Sequence, residues 1–280
     1  MLGRSAARFI TLVSACNGVG KTSVAVNLAA ALSASGARVL LIDENRGPAN
    51  IGALLGLPAR YTLEQVTRGE CRLEDALLST THGLTVLSVA GAARALPVLR
   101  AAARERLNAD FKVIEARFDV VLADTACERT CGMEMFAGAS HDTIVVSSAA
   151  AQSVTASYAL IKRLRDTGNQ QRFHVLLNRV VLEENARVIL QNLTSVARSH
   201  LRMPIESLGC VPKDESLRIA RAELRPVVAA HPASPSAVRF HCIADAITTW
   251  PNARARSGLI DRFMQCVLAG SPPVLASAGV

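Results

Sequence analysis

Two kinds of hydrophobic pattern alternate along the chain. Short apolar, β-branched runs fall at residues 9–13, 39–42, 84–87, 120–122, 143–146, 175–177 and 208–211. Between them, stretches such as 22–33, 154–165 and 183–199 carry helical patterns. Runs apolar on both faces and separated by helices predict parallel pairing through right-handed crossovers, because only a sheet covered on both sides buries them. The expected fold is α/β, a doubly wound, mainly parallel sheet flanked by helices, with residues 1–255 as one domain and no internal repeat. Pro232 and Pro235 give 231–236 the composition of a linker. Beyond the domain, 256–280 reads as an amphipathic helix and a flexible tail. Leu259, Ile260, Phe263, Met264, Val267 and Leu268 share one face, which packs on the domain itself or docks on a membrane or a partner. Arg262 is the one basic residue within that helix, which weakens the case for lipid.

Composition narrows the setting. Half of the residues are hydrophobic but only 4% are aromatic, so the core material is Ala, Leu and Val, suited to parallel strands under Ala-rich helices. No apolar run approaches the roughly 20 residues of a membrane span, and a strand begins almost at once, so the expected location is cytoplasmic, with peripheral contact at the inner membrane face or cell pole left open. Seven cysteines without a repeated spacing read as reduced thiols. Cys127 and Cys131 lack the second pair that a zinc site needs. The formal charge of +8 permits attraction to nucleic acid, anionic lipid or acidic proteins without choosing among them. Arginines are densest at 94–106 and at Arg218, Arg221 and Arg225, which suits a solvated basic face.

The strongest chemical signal follows the first strand. Gly18-Val19-Gly20-Lys21-Thr22 joins a strand to a helix, the setting in which backbone N–H groups cradle phosphate oxygens. In the general pattern Gly-x-x-x-x-Gly-Lys-Ser/Thr, Lys21 neutralises the β- and γ-phosphates and the Thr22 hydroxyl ligates Mg²⁺. Ala15 stands where that pattern has its first glycine. Asp124, ending an apolar strand, is where Mg²⁺ needs an oxygen ligand, although a strand-end Asp also caps helices.

The segment 14–22 resembles the deviant Walker A loop of the MinD/ParA family of ATPases, which usually reads Gly-Lys-Gly-Gly-Val-Gly-Lys-Thr. Three further stretches are similar in order and spacing. Leu41-Ile42-Asp43-Glu44-Asn45 through Asn50-Ile51-Gly52 resembles the first switch of the flagellar-number regulators of the FlhG (FleN) type, Ala123-Asp124-Thr125 the second switch, and Val211-Pro212-Lys213-Asp214 the adenine loop. The resemblance implies ATP or ADP with Mg²⁺, held by Asn17, Gly18, Val19, Gly20, Lys21, Thr22 and Ser23, with Asn178, Pro212 and Asp214 at the base and Thr22 and Asp124 at the metal. It places Lys21, Asp43 and Asn45 in the catalytic positions. As partners it implies an ATP-bound homodimer together with an FlhF-type GTPase, flagellar switch components or a flagellar transcriptional activator.

Two departures bear on turnover. The family's second lysine, which reaches across the dimer to the partner's phosphates, falls on Cys16, and a thiol supplies no such charge. The first switch reads Asp43-Glu44-Asn45 where the family has Asp-x-Asp, so an amide replaces the carboxylate that orients water. Glu44 lies nearby, but neighbouring strand residues point to opposite faces. The second-switch turn, 126–129, is also bulkier and more charged than the family's. The expected function is an ATP-binding regulator of flagellar biosynthesis, number and placement, with weak or absent hydrolysis. The alternative is a ParA-like partition ATPase holding DNA without sequence preference.

Overall fold

The computed structural model describes residues 7–45, 50–58, 61–90, 99–127, 131–166 and 172–251. Its sheet contains β1 (Arg8–Val13), β2 (Val39–Asp43), β3 (Leu77–Ser79), β4 (Leu84–Ser88), β5 (Val120–Asp124), β6 (Asp142–Ser148), β7 (Arg172–Val180) and β8 (Ile205–Pro212). They lie in the order β3-β4-β2-β5-β1-β6-β7-β8, parallel throughout except for the β3–β4 pair. All seven expected strands are present. β3 is the addition, a three-residue edge strand without buried positions and hence without an apolar run to announce it.

Around the sheet stand α1 (Lys21–Ala34), α2 (Ile51–Leu54), α3 (Leu63–Thr67), α4 (Ala101–Glu115), α5 (Cys131–Ala139), α6 (Ala151–Asp166), α7 (Glu183–Leu201), α8 (Glu215–Ala222), α9 (Val227–Ala230) and α10 (Pro235–Thr248). Side-chain alternation along each strand divides the core in two. Ile10, Leu12, Leu41, Leu122, Ile144 and Leu176 face α1, α9 and α10, whereas Phe9, Leu40, Ile42, Val121, Val145 and Val175 face the helices of the opposite layer. Helix α1 is apolar nearly all round because it lies between the sheet and α10, and its alanines permit that close approach.

The segment 231–236 is not a linker. Ser234 caps α10, its Oγ accepting from the Ala237 N–H at 3.2 Å, and Pro235 occupies the first turn, where a missing N–H costs nothing. Ser236 is fully buried and donates its hydroxyl to Asp214 Oδ2 at 2.6 Å. Of the two prolines that suggested a linker, Pro235 therefore starts a helix and Pro232 lies in the turn before it. At the far end of the sheet, buried Asp142 accepts from Arg8 at 2.9 Å and pairs with Arg172 and His174, while Trp250 stacks on His174 with ring centroids 3.9 Å apart. Burial raises the Asp142 pKa, but His174, Arg172 and Arg8 outweigh it and hold the carboxyl below its usual range. Arg8 also donates to the Pro251 carbonyl at 2.6 Å, fixing the chain there. The helix expected at 259–268 lies outside the described residues, among which no helix is long and apolar enough to cross a membrane.

Asp214 joins α8 to α10. Its Oδ1 accepts from the Ser216 N–H at 2.9 Å, and its Oδ2 from the Ser236 N–H at 3.0 Å and the Ser236 hydroxyl. Desolvation raises its pKa, but the bonds from Ser236 and then Ser216 dominate and bring it down to about 2. A depressed carboxylate stabilises the fold above its unfolded pKa of roughly 3.9 and loses that contribution as pH falls through the folded value. Asp214→Ala should cost about 1–2 kcal/mol in urea unfolding at pH 7, the range of a lost helix cap. The difference between wild type and Asp214→Asn should be full above about pH 4 and shrink toward about pH 2.

Candidate functional site

Strand register assembles the site before any loop contributes. Leu12 pairs with Asp124 across β1–β5, and Asp43 pairs with Asp124 across β2–β5, so two carboxylates stand side by side at the ends of adjacent parallel strands. Both are buried, Asp43 at 2% exposure and Asp124 at 0%. Adjacent buried negative charges repel unless donors stand between them. Lys21 donates to Asp124 Oδ1 and to the Thr125 carbonyl. Asn45 places its Nδ2 3.0 Å from Asp43 Oδ1 and 2.6 Å from Asp124 Oδ2, bridging the pair. Desolvation first, and the Asp124 charge second, still raise the Asp43 pKa to about 6. Its Oδ2 accepts from the Ile51 N–H at 2.7 Å, which ties the start of α2 to the end of β2.

Glu44 corrects the expectation drawn from strand alternation. It lies one residue past β2, so the pleat no longer governs its direction. Its N–H donates to the Asp124 carbonyl at 3.1 Å, and its Oε2 accepts from the Ala126 N–H at 2.9 Å. Burial raises its pKa to about 7, against the Ala126 bond and the Lys21 charge. Of the second-switch turn, Ala126 and Cys127 are described, and the Cys127 Sγ sits 3.3 Å from the Ser14 carbonyl. Residues 128–130 lie outside the described residues.

The loop from Ser14 to Gly20 turns on Gly18 (φ +77°) and Gly20 (φ +88°), left-handed conformations that a β-carbon disfavours. Gly20 is the N-cap of α1, so the first helical N–H groups point out of the loop. Asn17 and Gly18 are exposed, Val19 is buried, and Thr22 and Ser23 are half-buried in the first turn. At the end of β7, Asn178 donates through Nδ2 to the Val19 carbonyl at 2.8 Å, while its buried Oδ1 has no partner. A methyl on Gly20 would lie 2.4 Å from that Nδ2. Asn178 therefore splits its amide, one donor holding the loop and the acceptor left for an incoming N–H such as an exocyclic amine. Pro212 ends β8 beside it, with the Lys213 N–H held by the Val180 carbonyl at 2.8 Å. Asp214 commits its carboxylate to Ser216 and Ser236.

A glycine turn opening a helix, a buried lysine, strand-end carboxylates and an orphaned amide oxygen form a cradle for a nucleoside polyphosphate. The family model of the CobQ/CobB/MinD/ParA nucleotide binding domain matches residues 10–227. The chain belongs to that family. It is 33% identical over 256 residues to the antiactivator FleN of Pseudomonas aeruginosa, covering 91% of each chain. It is 23% identical to the flagellum site-determining protein YlxH of Helicobacter pylori over 75% of this chain and 71% of that one. Among solved structures, the septum site-determining protein MinD complexed with Mg-ADP from Pyrococcus horikoshii superposes with a TM-score of 0.67 at 23% identity, covering 87% and 96% of the two chains. That likeness is one of fold, and it matches the doubly wound sheet found here.

The family's aspartate at position 45 would be a third carboxylate within the Asp43–Asp124 pair, whereas the asparagine supplies donors to both. Asn45→Asp should therefore destabilise the nucleotide-free protein by about 1–3 kcal/mol at pH 7, the cost of leaving buried charged acceptors without a donor. Urea unfolding beside Asn45→Ser, which removes the bridge without adding charge, separates repulsion from the lost hydrogen bonds, and Asn45→Asp should be the less stable of the two.

Proposed function

We propose that this chain is an ATP-binding regulator of flagellar biosynthesis that governs flagellar number and placement, working as an ATP-dependent dimer switch with slow hydrolysis. The relation to FleN over nine-tenths of both chains supports the flagellar setting. The switching mechanism rests on one observation, the Asn45 amide lodged between Asp43 and Asp124 with Lys21 paired to the same Asp124.

In this reading Lys21 would exchange Asp124 for the β- and γ-phosphates, and Asp124, so released, would hold Mg²⁺ together with Thr22. The metal supplies charge neutralisation across the phosphate oxygens. The N–H groups of 17–23 would line the phosphates, and the unpartnered Asn178 Oδ1 would accept from an adenine amine beside Pro212. Moving Lys21 breaks a link between the β1 loop and β5, and shifting Asn45 from Asp124 releases the first switch, so nucleotide occupancy is transmitted to the surface on which a second copy assembles. The lost cation at Cys16 and the amide at Asn45 leave the bound nucleotide without two groups that stabilise the transition state or orient water. The proposed partners are a second copy of the chain and a flagellar transcriptional activator, FlhF-type GTPase or switch component that distinguishes the ATP-bound form. Location is proposed as cytoplasmic.

Single-turnover hydrolysis beside an ATP and ADP binding titration tests the reading. Wild type should bind both nucleotides and hydrolyse slowly, and Lys21→Ala should lose binding. The Cys16→Lys, Asn45→Asp double variant should hydrolyse at least about 10-fold faster, since a transition-state cation of this kind contributes roughly 10³ or more. Brisk wild-type hydrolysis abolished by Lys21→Ala would overturn the slow-switch reading, and absence of any nucleotide affinity would overturn the nucleotide reading itself.

A further inference from the structure

One cation beside the loop takes no part in the contacts described so far. Arg179 follows Asn178 at the end of β7, and its backbone is left-handed with φ +59°, a conformation uncommon for any residue with a long side chain. The cause is a break in the β7–β8 ladder. Leu177 pairs with Cys210 and Val180 with Pro212, so Asn178 and Arg179 together stand opposite Val211 alone. Such a bulge re-aims the side chains it carries. Here Asn178 turns into the loop at Val19, and Arg179 comes beside Gly20, where a methyl on that glycine would lie 3.6 Å from the Arg179 Nε. Glycine would adopt the same backbone without strain, yet the position holds an arginine. Arg179 is exposed, and among the described residues its guanidinium has no ion-pair or hydrogen-bond partner.

Gly20 caps α1, and the first N–H groups of a helix are donors suited to phosphate oxygens. The other charges converging there are Lys21, Asp43, Glu44 and Asp124, one lysine among three carboxylates, and Cys16 adds none. Lys21 is the one protein cation in that ring, and a guanidinium fork would add two parallel N–H donors to phosphate oxygens. We propose that Arg179 is a nucleotide-binding residue that grips the phosphate chain of a nucleoside di- or triphosphate at Gly20, its strained backbone holding the guanidinium over the loop. The proposal rests on the nucleotide reading given above. It assigns to the β7 bulge a charge that the loop itself lacks at Cys16.

Calorimetric titration of the full chain with Mg-ADP, competition with adenosine and thermal melting without nucleotide test it on Arg179→Ala, Arg179→Gly and Arg179→Lys. The alanine and glycine variants should bind ADP about 10-fold more weakly, the effect of losing one charge-assisted hydrogen-bonded contact. Lysine should recover only part of the affinity, since it keeps the charge without the fork, and adenosine should bind all variants alike. Arg179→Gly should melt no lower than Arg179→Ala, because glycine relaxes the left-handed backbone, so affinity falls without following stability. Wild-type ADP affinity in both truncations would overturn the assignment, as would recovery of affinity in the glycine variant along with its melting temperature. An equal loss for adenosine would overturn the phosphate contact. If wild type itself binds no ADP, the nucleotide reading fails and carries this proposal with it, a result distinct from normal binding by the variants.

Discussion

The pairing of β2 and β5 sets Asp43 beside Asp124, and the rest of the site follows from that one juxtaposition. Two carboxylates on neighbouring strand ends, both buried, are unfavourable unless positive or donor groups reach them. Lys21 comes from the first turn of α1, Asn45 from the segment after β2, and the Ile51 N–H from the start of α2. Each is drawn in by the same charge. The loop, both switch segments and the first short helix are thereby fastened to a common point, and a ligand that competes for Lys21 acts on all of them together.

The two departures from the family pattern take on a different meaning once their surroundings are visible. Asn45 loses the ability to orient water as a carboxylate and gains the ability to donate to two acidic neighbours. Cys16 supplies no cation, while Arg179 on the β7 bulge stands beside Gly20 without an ion-pair partner among the described residues. Glu44, released from the strand pleat, turns its carboxylate to the Ala126 N–H and stands among the same charges as Lys21 and Asp124. The charges are redistributed within the site rather than simply removed.

A second fastening lies at the ends of β7 and β8. Asn178 reaches from β7 to the loop at Val19, and Asp214 ties the start of α8 to the start of α10, which packs on α1. Helix α1 thus has its N-cap under the loop and its flank against the helix that Asp214 anchors. The Arg8–Asp142–His174–Trp250 cluster closes the opposite end of the strands and fixes the chain at Pro251.

Much of this was legible in the residues alone, because the information was local. Seven apolar runs of strand length, helical repeats between them and Gly18-Val19-Gly20-Lys21-Thr22 at a strand–helix junction specify the fold class and the phosphate loop through near-neighbour spacing. What the sequence could not supply were relations between segments far apart in the chain. The Asn45 bridge depends on the register of β2 against β5, the turn of Glu44 on where β2 stops, and the tie of α10 to α8 on a bond from Ser236 to Asp214, 22 residues away. The left-handed Arg179 depends on a mismatch between two strands that neither strand reveals by itself. Hydrophobic periodicity determines which elements form and which faces they bury. The direction of each polar side chain at their ends is decided by whichever donor or acceptor the packed sheet brings within about 3 Å.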